Sequence, residues 1–140
     1  MNLPADAEKA VFQLRRDFYE STLSVSDVSF SKGVLRLKLR RLMRSGGYRP
    51  YLLTVRFVES VTWTLPNSCM TSLFRERHSL LVTNIWLNRR YVESRRYELL
   101  FEGYPEWEFT VRIRRDRPLA LAIGSRTGRI TPIAVDGDRP

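Results

Sequence analysis

The segment Trp107-Glu108-Phe109-Thr110-Val111-Arg112-Ile113-Arg114 alternates apolar and polar residues over its whole length. Successive side chains of a β-strand point to opposite faces of a sheet, so this period of two predicts a half-buried strand. The predicted core residues are Trp107, Phe109, Val111 and Ile113, and the predicted solvent-exposed residues are Glu108, Arg112 and Arg114. The opposite register would bury all three charges, which is energetically prohibitive.

The same alternation recurs along most of the chain. Leu35, Leu37 and Leu39 alternate with Arg36, Lys38 and Arg40. Further strands are predicted at residues 23–25, 28–30, 51–58, 61–65, 80–87, 97–101, 119–123 and 129–135. Residues 51–58 have β-branched and aromatic residues on both parities, which predicts a central strand. Residues 80–87 are apolar on both parities, which predicts a strand covered on two sides. Ser31-Lys32-Gly33 is typical of a tight turn, and residues 44–50 of a loop.

One segment follows a helical period instead. Near the N-terminus, Ala7, Ala10, Val11, Leu14 and Phe18 recur at helical spacing and predict a helix over residues 4–20. One helix followed by closely spaced strands predicts a mainly β fold, an antiparallel β-sandwich or partly open barrel of about eight strands with one N-terminal helix. We expect a single domain over residues 1–140, with a β body over about 23–135 and a frayed tail over 136–140.

Composition excludes several classes of protein. The 140 residues are 43% hydrophobic and 28% charged, as in ordinary folded domains. One cysteine, Cys69, and one histidine, His78, exclude an intramolecular disulfide and a zinc site built from Cys and His alone. No segment predicts a signal peptide or a membrane span, so we expect a cytoplasmic protein with no membrane partner. No motif points to a cofactor or a metal.

Charge is the strongest functional signal in the sequence. The chain has 24 basic and 15 acidic residues, a net charge of +9. Between Asp27 and Glu59 there is no acidic residue, whereas this interval contains Lys32, Arg36, Lys38, Arg40, Arg41, Arg44, Arg49 and Arg56. The run Glu98, Glu102, Glu106 and Glu108 contains no basic residue. Because the two segments have opposite charge, they are predicted to face each other across a sheet.

The acid-free interval supplies the candidate binding residues Arg36, Lys38, Arg40 and Arg56. A row of cations on one face of a strand favours an acidic protein as the partner. The alternative is a nucleic-acid-binding β module, in which Tyr48, Tyr51 or Trp63 would provide stacking platforms for bases. The strands carry no RNA-recognition signature, and their aromatic residues mostly share parity with aliphatic ones, which ranks this alternative second.

Catalysis ranks third. Cys69 and His78 are the sole candidates for a cysteine-histidine pair, and no nucleophile signature surrounds either residue. The carboxylates from Glu98 to Glu108 could include an acid and base pair, but parity places Glu98, Glu102 and Glu108 on the solvated face of strands. We therefore expect no enzyme, and the enzyme alternative would use His78 or these carboxylates.

Three segments carry a resemblance to known proteins. After the helix come SVSDVSFSKGVLRL at 24–37, LTVRFVESV at 53–61, and YELLFE at 97–102 leading into Trp107-Glu108-Phe109. This order over residues 9–115 resembles small bacterial all-β immunity proteins of polymorphic toxin systems. The resemblance implies a non-enzymatic cytoplasmic protein that occludes one partner, and it transfers no catalytic residue. Immunity proteins against nuclease toxins tend to be acidic, so the charge of +9 departs from that pattern and suits an acidic partner.

Replacement of Cys69 or His78 by alanine is expected to leave the biological activity unchanged, because neither residue has an identifiable activating group nearby in the sequence. Activity is measured beside circular dichroism, which establishes that each variant is folded. Loss of activity in a well-folded His78→Ala variant would instead support the enzyme alternative.

Overall fold

The strands of this protein join into one antiparallel sheet. The computed structural model describes residues 3–23, 27–64, 80–88, 91–104, 106–124 and 130–132. Within them lie the helices α1 (Leu3–Phe18) and α2 (Tyr91–Ser94) and the strands β1 (Thr22–Leu23), β2 (Val28–Ser31), β3 (Val34–Leu42), β4 (Tyr48–Arg56), β5 (Val58–Thr64), β6 (Leu80–Asn88), β7 (Glu98–Tyr104), β8 (Trp107–Ile113), β9 (Ala120–Gly124) and β10 (Ile130–Pro132). The prediction of a mainly β fold with one N-terminal helix is confirmed. The short α2 was not predicted, and residues 136–140 lie outside the described part.

The sheet is open rather than closed into a barrel. Its strand order is β10-β9-β4-β3-β1-β6-β7-β8-β5, and β2 pairs with β3 beside this path. The described residues thus form ten strands, each overlapping one of the ten segments in which the sequence predicts a strand, so the predicted total of about eight is too low. β2 and β3 are joined by Lys32 and Gly33, whose φ angles of 52° and 76° are those of a type I′ hairpin turn. The predicted loop at residues 44–50 is shorter, since β4 already begins at Tyr48.

A kink at Phe57 shapes the sheet. β4 lies between β3 and β9, whereas β5 pairs with β8 at the far end of the strand order, yet Phe57 alone separates β4 from β5. The sheet must therefore coil back on itself. Phe57 has a φ of 59°, which is rare for a bulky residue, and its carbonyl accepts a hydrogen bond from the amide of Arg114 at 2.7 Å. The predicted continuous strand over residues 51–58 is thus broken at this point.

The core lies between the inner face of the coiled sheet and α1. Leu35, Leu37 and Leu39 of β3 are fully buried, and so is the helical stripe predicted from the sequence. At the end of α1, the ring of Phe18 meets that of Tyr51 edge-on, with centroids 5.5 Å apart. Burial of each such side chain contributes about 1.5–3 kcal/mol, so packing of the inner face accounts for most of the stability of the fold. Among the described residues, neither helix has the length and apolar character needed to cross a membrane.

Strand β8 has the predicted register. Trp107, Phe109, Val111 and Ile113 are buried, and Glu108, Arg112 and Arg114 are exposed. On its two sides β8 pairs with β5 and β7, which place Trp63 and Phe101 opposite Phe109. In β8 the apolar side chains therefore point into the core, and the charged side chains point into solvent.

Strand β6 departs from its prediction. Its apolar residues on both parities predicted a strand covered on two sides, but Trp86 is 44% exposed. The register of β6 against β7 shifts between Val82 and Asn84, which is the position of a β-bulge. A bulge changes the parity of the buried positions, so Leu80 and Val82 before it and Ile85 after it all point into the core. The mixed parity arises mainly from this irregularity.

Close approach of two backbones occurs where this bulge meets Gly103. A Cβ atom on Gly103 would lie 1.7 Å from the carbonyl oxygen of Leu81. The same carbonyl accepts a hydrogen bond at 3.2 Å from Nε1 of the buried Trp107. The absence of a side chain at position 103 therefore lets β6 and β7 pair while Leu81 binds the indole.

We expect Gly103→Ala to destabilise the protein by about 3 kcal/mol or more, because backbone rather than a flexible side chain must move. The measurement is denaturant unfolding followed by circular dichroism. Gly47→Ala is the matched control, since a Cβ atom there meets nothing within 4 Å. Equal stability of the two variants would contradict the close approach of β6 and β7.

Candidate functional site

Alternation along β3 creates a row of outward-pointing cations. Because Leu35, Leu37 and Leu39 fill the core, the intervening side chains must point to the outer face of the sheet. Arg36 and Lys38 are exposed there. The leucines thereby fix the positions of the two cations, as the sequence predicts.

Strand β4 adds a third cation to this surface. In the β3–β4 register, Arg36 lies opposite Thr54 and Lys38 opposite Leu52. Arg56 follows Thr54 by two residues, so it lies on the same face, diagonal to Arg36, and it is exposed. We call the exposed side chains of Arg36, Lys38 and Arg56 the basic face.

The basic face has no compensating charge in the described part of the chain. None of its three side chains takes part in an ion pair between described residues. Its neighbours on β9 are small, since Arg56 lies opposite Ala120 and Thr54 opposite Ala122. An accessible cationic surface without bound carboxylates attracts anionic groups over about 8 Å at physiological ionic strength.

Arg40 lies on the same outer face but has a different role. Its Nη1 donates to Oδ2 of Asp27 at 2.6 Å, and the side chains of Arg40 and Asp27 are 35% and 11% exposed. This ion pair connects the segment before β2 to the second half of β3. Arg40 therefore contributes an internal contact, and its charge is already neutralised locally.

The β3–β4 hairpin extends beyond the rest of the sheet. β1 pairs with β3 at Arg40 and β9 pairs with β4 from Leu52 onward, so the described residues between them pair within the hairpin alone. Leu42 and Tyr48 lie opposite each other at its end, 50% and 55% exposed. This apolar pair is on the same face as Arg36 and Lys38. The sequence contained a signal for it, because Leu42 falls on the parity of the cations rather than that of the buried leucines.

The predicted stacking aromatics are mostly engaged in the core. Tyr51 packs against Phe18, and Trp63 lies 4.4 Å from Phe109 between ring centroids. Of the three candidates, Tyr48 is the one that is exposed. The surface around the basic face is thus poor in aromatic platforms.

The acidic run lies on a different part of the sheet from the basic face. Glu98 accepts from Arg112 at 3.0 Å and from Asn88 at 2.9 Å, and Glu102 accepts from Asn84 at 3.0 Å. These residues lie on the outer face of β6, β7 and β8, with Glu108 exposed opposite Glu102. The prediction that the basic and acidic segments face each other across a sheet is wrong, because the coil directs their outer faces away from the shared core.

The described residues define neither a metal site nor the cysteine-histidine pair considered from the sequence. The described residues contain no group of three or more His, Cys, Asp or Glu side chains that could hold a metal ion. Cys69 and His78 lie outside the described residues.

No family model, curated protein or solved structure matches the chain.

Arg40→Ala is expected to lower the free energy of unfolding by about 1–3 kcal/mol, because it leaves the largely buried Asp27 carboxylate without its partner. Lys38→Ala, two residues earlier on the same face, should change it by less than about 0.5 kcal/mol. Denaturant unfolding of both variants provides the measurement. An equal decrease in the free energy of unfolding in the two variants would contradict the different roles assigned to Lys38 and Arg40.

Proposed function

We propose that this chain is a non-catalytic protein-interaction module that binds an acidic surface of a partner protein through the basic face. The observation that carries the proposal is the placement of Arg36, Lys38 and Arg56, exposed and without ion pairs among the described residues, on strands anchored by buried leucines and valines. Such a rigid row loses little conformational freedom of the backbone on binding. Carboxylates on a partner surface match it in charge.

An apolar contact next to the cations supports a protein as the partner. Leu42 and Tyr48 continue the outer face of the same two strands, at the end of the β3–β4 hairpin. Protein interfaces combine a buried apolar centre, often containing tyrosine, with a polar and charged rim. We therefore expect the basic face mainly to raise the association rate, and Leu42 and Tyr48 mainly to slow dissociation of the complex.

Within this proposal the protein is of the immunity or inhibitor type. The sequence resemblance points to a bacterial toxin as the partner and to the cytoplasm as the place of binding. An inhibitor of this type acts by covering its partner, which requires surface complementarity and no catalytic residue. The basic face supplies charge complementarity for such an interface, and Leu42 and Tyr48 supply an apolar contact.

Nucleic acid is the second candidate partner. The specific observation in its favour is the hairpin itself, which carries Arg41 opposite Arg49 and Arg44 near its tip. A two-stranded β-ribbon can enter the major groove of DNA, and arginine is the commonest reader of guanine there. Against it stands the packing of the partly buried Tyr51 and Trp63 against the core on the inner side of the sheet, which leaves Tyr48 as the one exposed platform among the three candidates.

The double reversal Arg36→Glu/Lys38→Glu is expected to lower the association rate constant with an acidic partner by about tenfold and to weaken its salt dependence. The partner is recovered by crosslinking and pull-down, and binding kinetics are measured at several salt concentrations. Arg114→Glu/Arg115→Glu is the control, because it changes the net charge by the same amount at exposed positions between β8 and β9. Arg40 is left unchanged, since its reversal would place two carboxylates together.

Equal association rates for the two double variants would contradict the role of the basic face. A mixed-sequence RNA or DNA that binds the wild type with a steep salt dependence and displaces the recovered protein would favour the second candidate. A discrete acidic protein that nucleic acid does not displace supports the proposal.

A further inference from the structure

The outer face of β6 and β7 carries an apolar pair that the core does not cover. Trp86 follows the buried Ile85, so it points to the outer face, and it is 44% exposed. Leu100 lies directly opposite it on β7 and is half-buried. Thr110 of β8 and Thr62 of β5 continue this row across the sheet. A surface that covered the row would remove Trp86 and Leu100 from water.

Carboxylates flank this row on one side. In the neighbouring cross-strand row, Glu102 of β7 lies opposite Glu108 of β8. Glu106, in the turn between the two strands, is exposed as well. The three side chains line a cavity of about 470 Å³ together with Thr64 and Thr83. None of the three takes part in an ion pair between described residues. We define the acidic face by the side chains of Trp86, Leu100, Glu102, Glu106 and Glu108.

The negative charge of the acidic face lies on one side of its apolar pair. On the other side, Glu98 is neutralised by Arg112 at 3.0 Å. The amide of Asn84 donates to Glu102 at 3.0 Å, but it brings no charge. Glu102 and Glu108 are like charges directly opposite each other, which repel. Cations from another molecule would relieve this repulsion, so the acidic face fits a cationic surface that lies next to an apolar contact.

The chain itself carries a surface of that composition. The basic face presents three exposed cations without ion pairs among the described residues, and the exposed pair Leu42 and Tyr48 lies on the same outer face of β3 and β4. Three carboxylates beside an apolar pair on one copy therefore match three cations beside an apolar pair on another. We propose that the protein self-associates, with the basic face of one copy docked on the acidic face of the next.

The net charge of +9 on each copy opposes any contact between copies. A compact chain of this length has a radius of gyration of about 14 Å, so the centres of two touching copies lie about 30 Å apart. At physiological ionic strength, interactions between exposed charges are screened beyond about 8 Å. The opposite charges of the two docked faces meet within that distance. We therefore expect their attraction to outweigh the repulsion between the net charges.

The contact is heterologous, because it joins two different surfaces of the chain. Two docked copies retain one free face of each kind, so further copies add until a ring closes. The acidic face has no part in the function proposed above, and self-association does not require a foreign partner. A second copy and an acidic partner would compete for the basic face. Self-association would then lower the concentration of chains that are free to bind the partner.

The test measures the mass of the full chain by sedimentation velocity and light scattering, at concentrations up to about 1 mM and about 0.15 M salt. One variant, Arg36→Glu/Lys38→Glu, reverses charge on the basic face. The other, Glu102→Lys/Glu108→Lys, reverses charge on the acidic face. Circular dichroism establishes that each variant is folded.

The matched control for the acidic face is Glu20→Lys/Glu93→Lys. It changes the net charge by the same amount at exposed positions that lie outside the strands. The basic-face variant needs no such correction, because it lowers the net charge and thereby weakens the repulsion between copies. A loss of association in that variant therefore reports the loss of a specific contact.

We expect the wild type to associate with a Kd below about 1 mM, and each face reversal to weaken association at least about tenfold. The control should stay within about threefold of the wild type. An equimolar mixture of the two face reversals should associate again, because the first variant carries two acidic surfaces and the second carries two basic ones.

Trp86→Thr tests the apolar centre of the acidic face without a change of charge. It should weaken association by about tenfold or more, as for a central aromatic residue of an interface. Val92→Ala is its control, because Val92 is 80% exposed on α2 and lies outside both faces. Its association should equal that of the wild type.

Three results would overturn the inference. These are a wild type that remains monomeric up to about 1 mM, an association that both face reversals and Trp86→Thr leave unchanged, and a mixture of the two reversals that stays monomeric. Glu102→Lys/Glu108→Lys retains the basic face. Its binding of an acidic partner therefore tests the function proposed above independently of self-association.

Discussion

The continuity of the chain through Phe57 is the constraint on which the rest of the structure depends. One residue connects a strand near one end of the sheet to the strand at its other end. A flat sheet cannot satisfy this connection, so the sheet coils and acquires a concave inner face for α1 and the buried leucines. The hydrogen bond between the Phe57 carbonyl and Arg114 and the stacking of Arg117 over the Phe57 ring hold the chain at this junction. A bulky residue at positive φ stores about 1–3 kcal/mol of strain, which this packing must offset.

The coil also separates the charges of the protein. The outer faces of β3 and β4 carry cations, and those of β7 and β8 carry carboxylates, yet both are turned outward from one core. Like charges also lie directly opposite each other in two cross-strand pairs. Glu102 and Glu108 form one pair on the outer face of β7 and β8, and Arg41 and Arg49 form the other near the end of the β3–β4 hairpin, on the parity of the buried leucines. Such pairs destabilise a sheet. The two pairs therefore lower the stability of the fold. The separation of a cationic surface from an acidic one favours recognition of a charged partner.

Sequence patterns predicted those parts of the fold that depend on local alternation. The leucines of β3 and the aromatic and β-branched residues of β8 occupy the expected faces, because exposure of one face and burial of the other impose a period of two. The kink at Phe57 and the bulge at Thr83 could not be predicted in this way. Apolar residues on both parities of a segment are also typical of a regular strand that is covered on both sides. The four candidate binding residues were placed on the correct face, but the engagement of Arg40 by Asp27 depends on a tertiary contact that the sequence does not specify. Leu42, in contrast, could have been recognised from its parity.

The hairpin formed by the ends of β3 and β4 differs from the rest of the sheet in local stability. Its outermost residue pairs have neighbours on neither side among the described residues. Two backbone hydrogen bonds close its tip, from the amide of Met43 to the carbonyl of Gly47 at 2.8 Å and from the amide of Gly46 to the carbonyl of Met43 at 2.9 Å. An isolated two-stranded hairpin is only marginally stable in water. The amides near its tip should therefore exchange with solvent by local fraying, without unfolding of the leucine-filled core. A protruding element that opens independently of its scaffold can adjust its shape to the surface that it meets, while the strands beneath it keep their register.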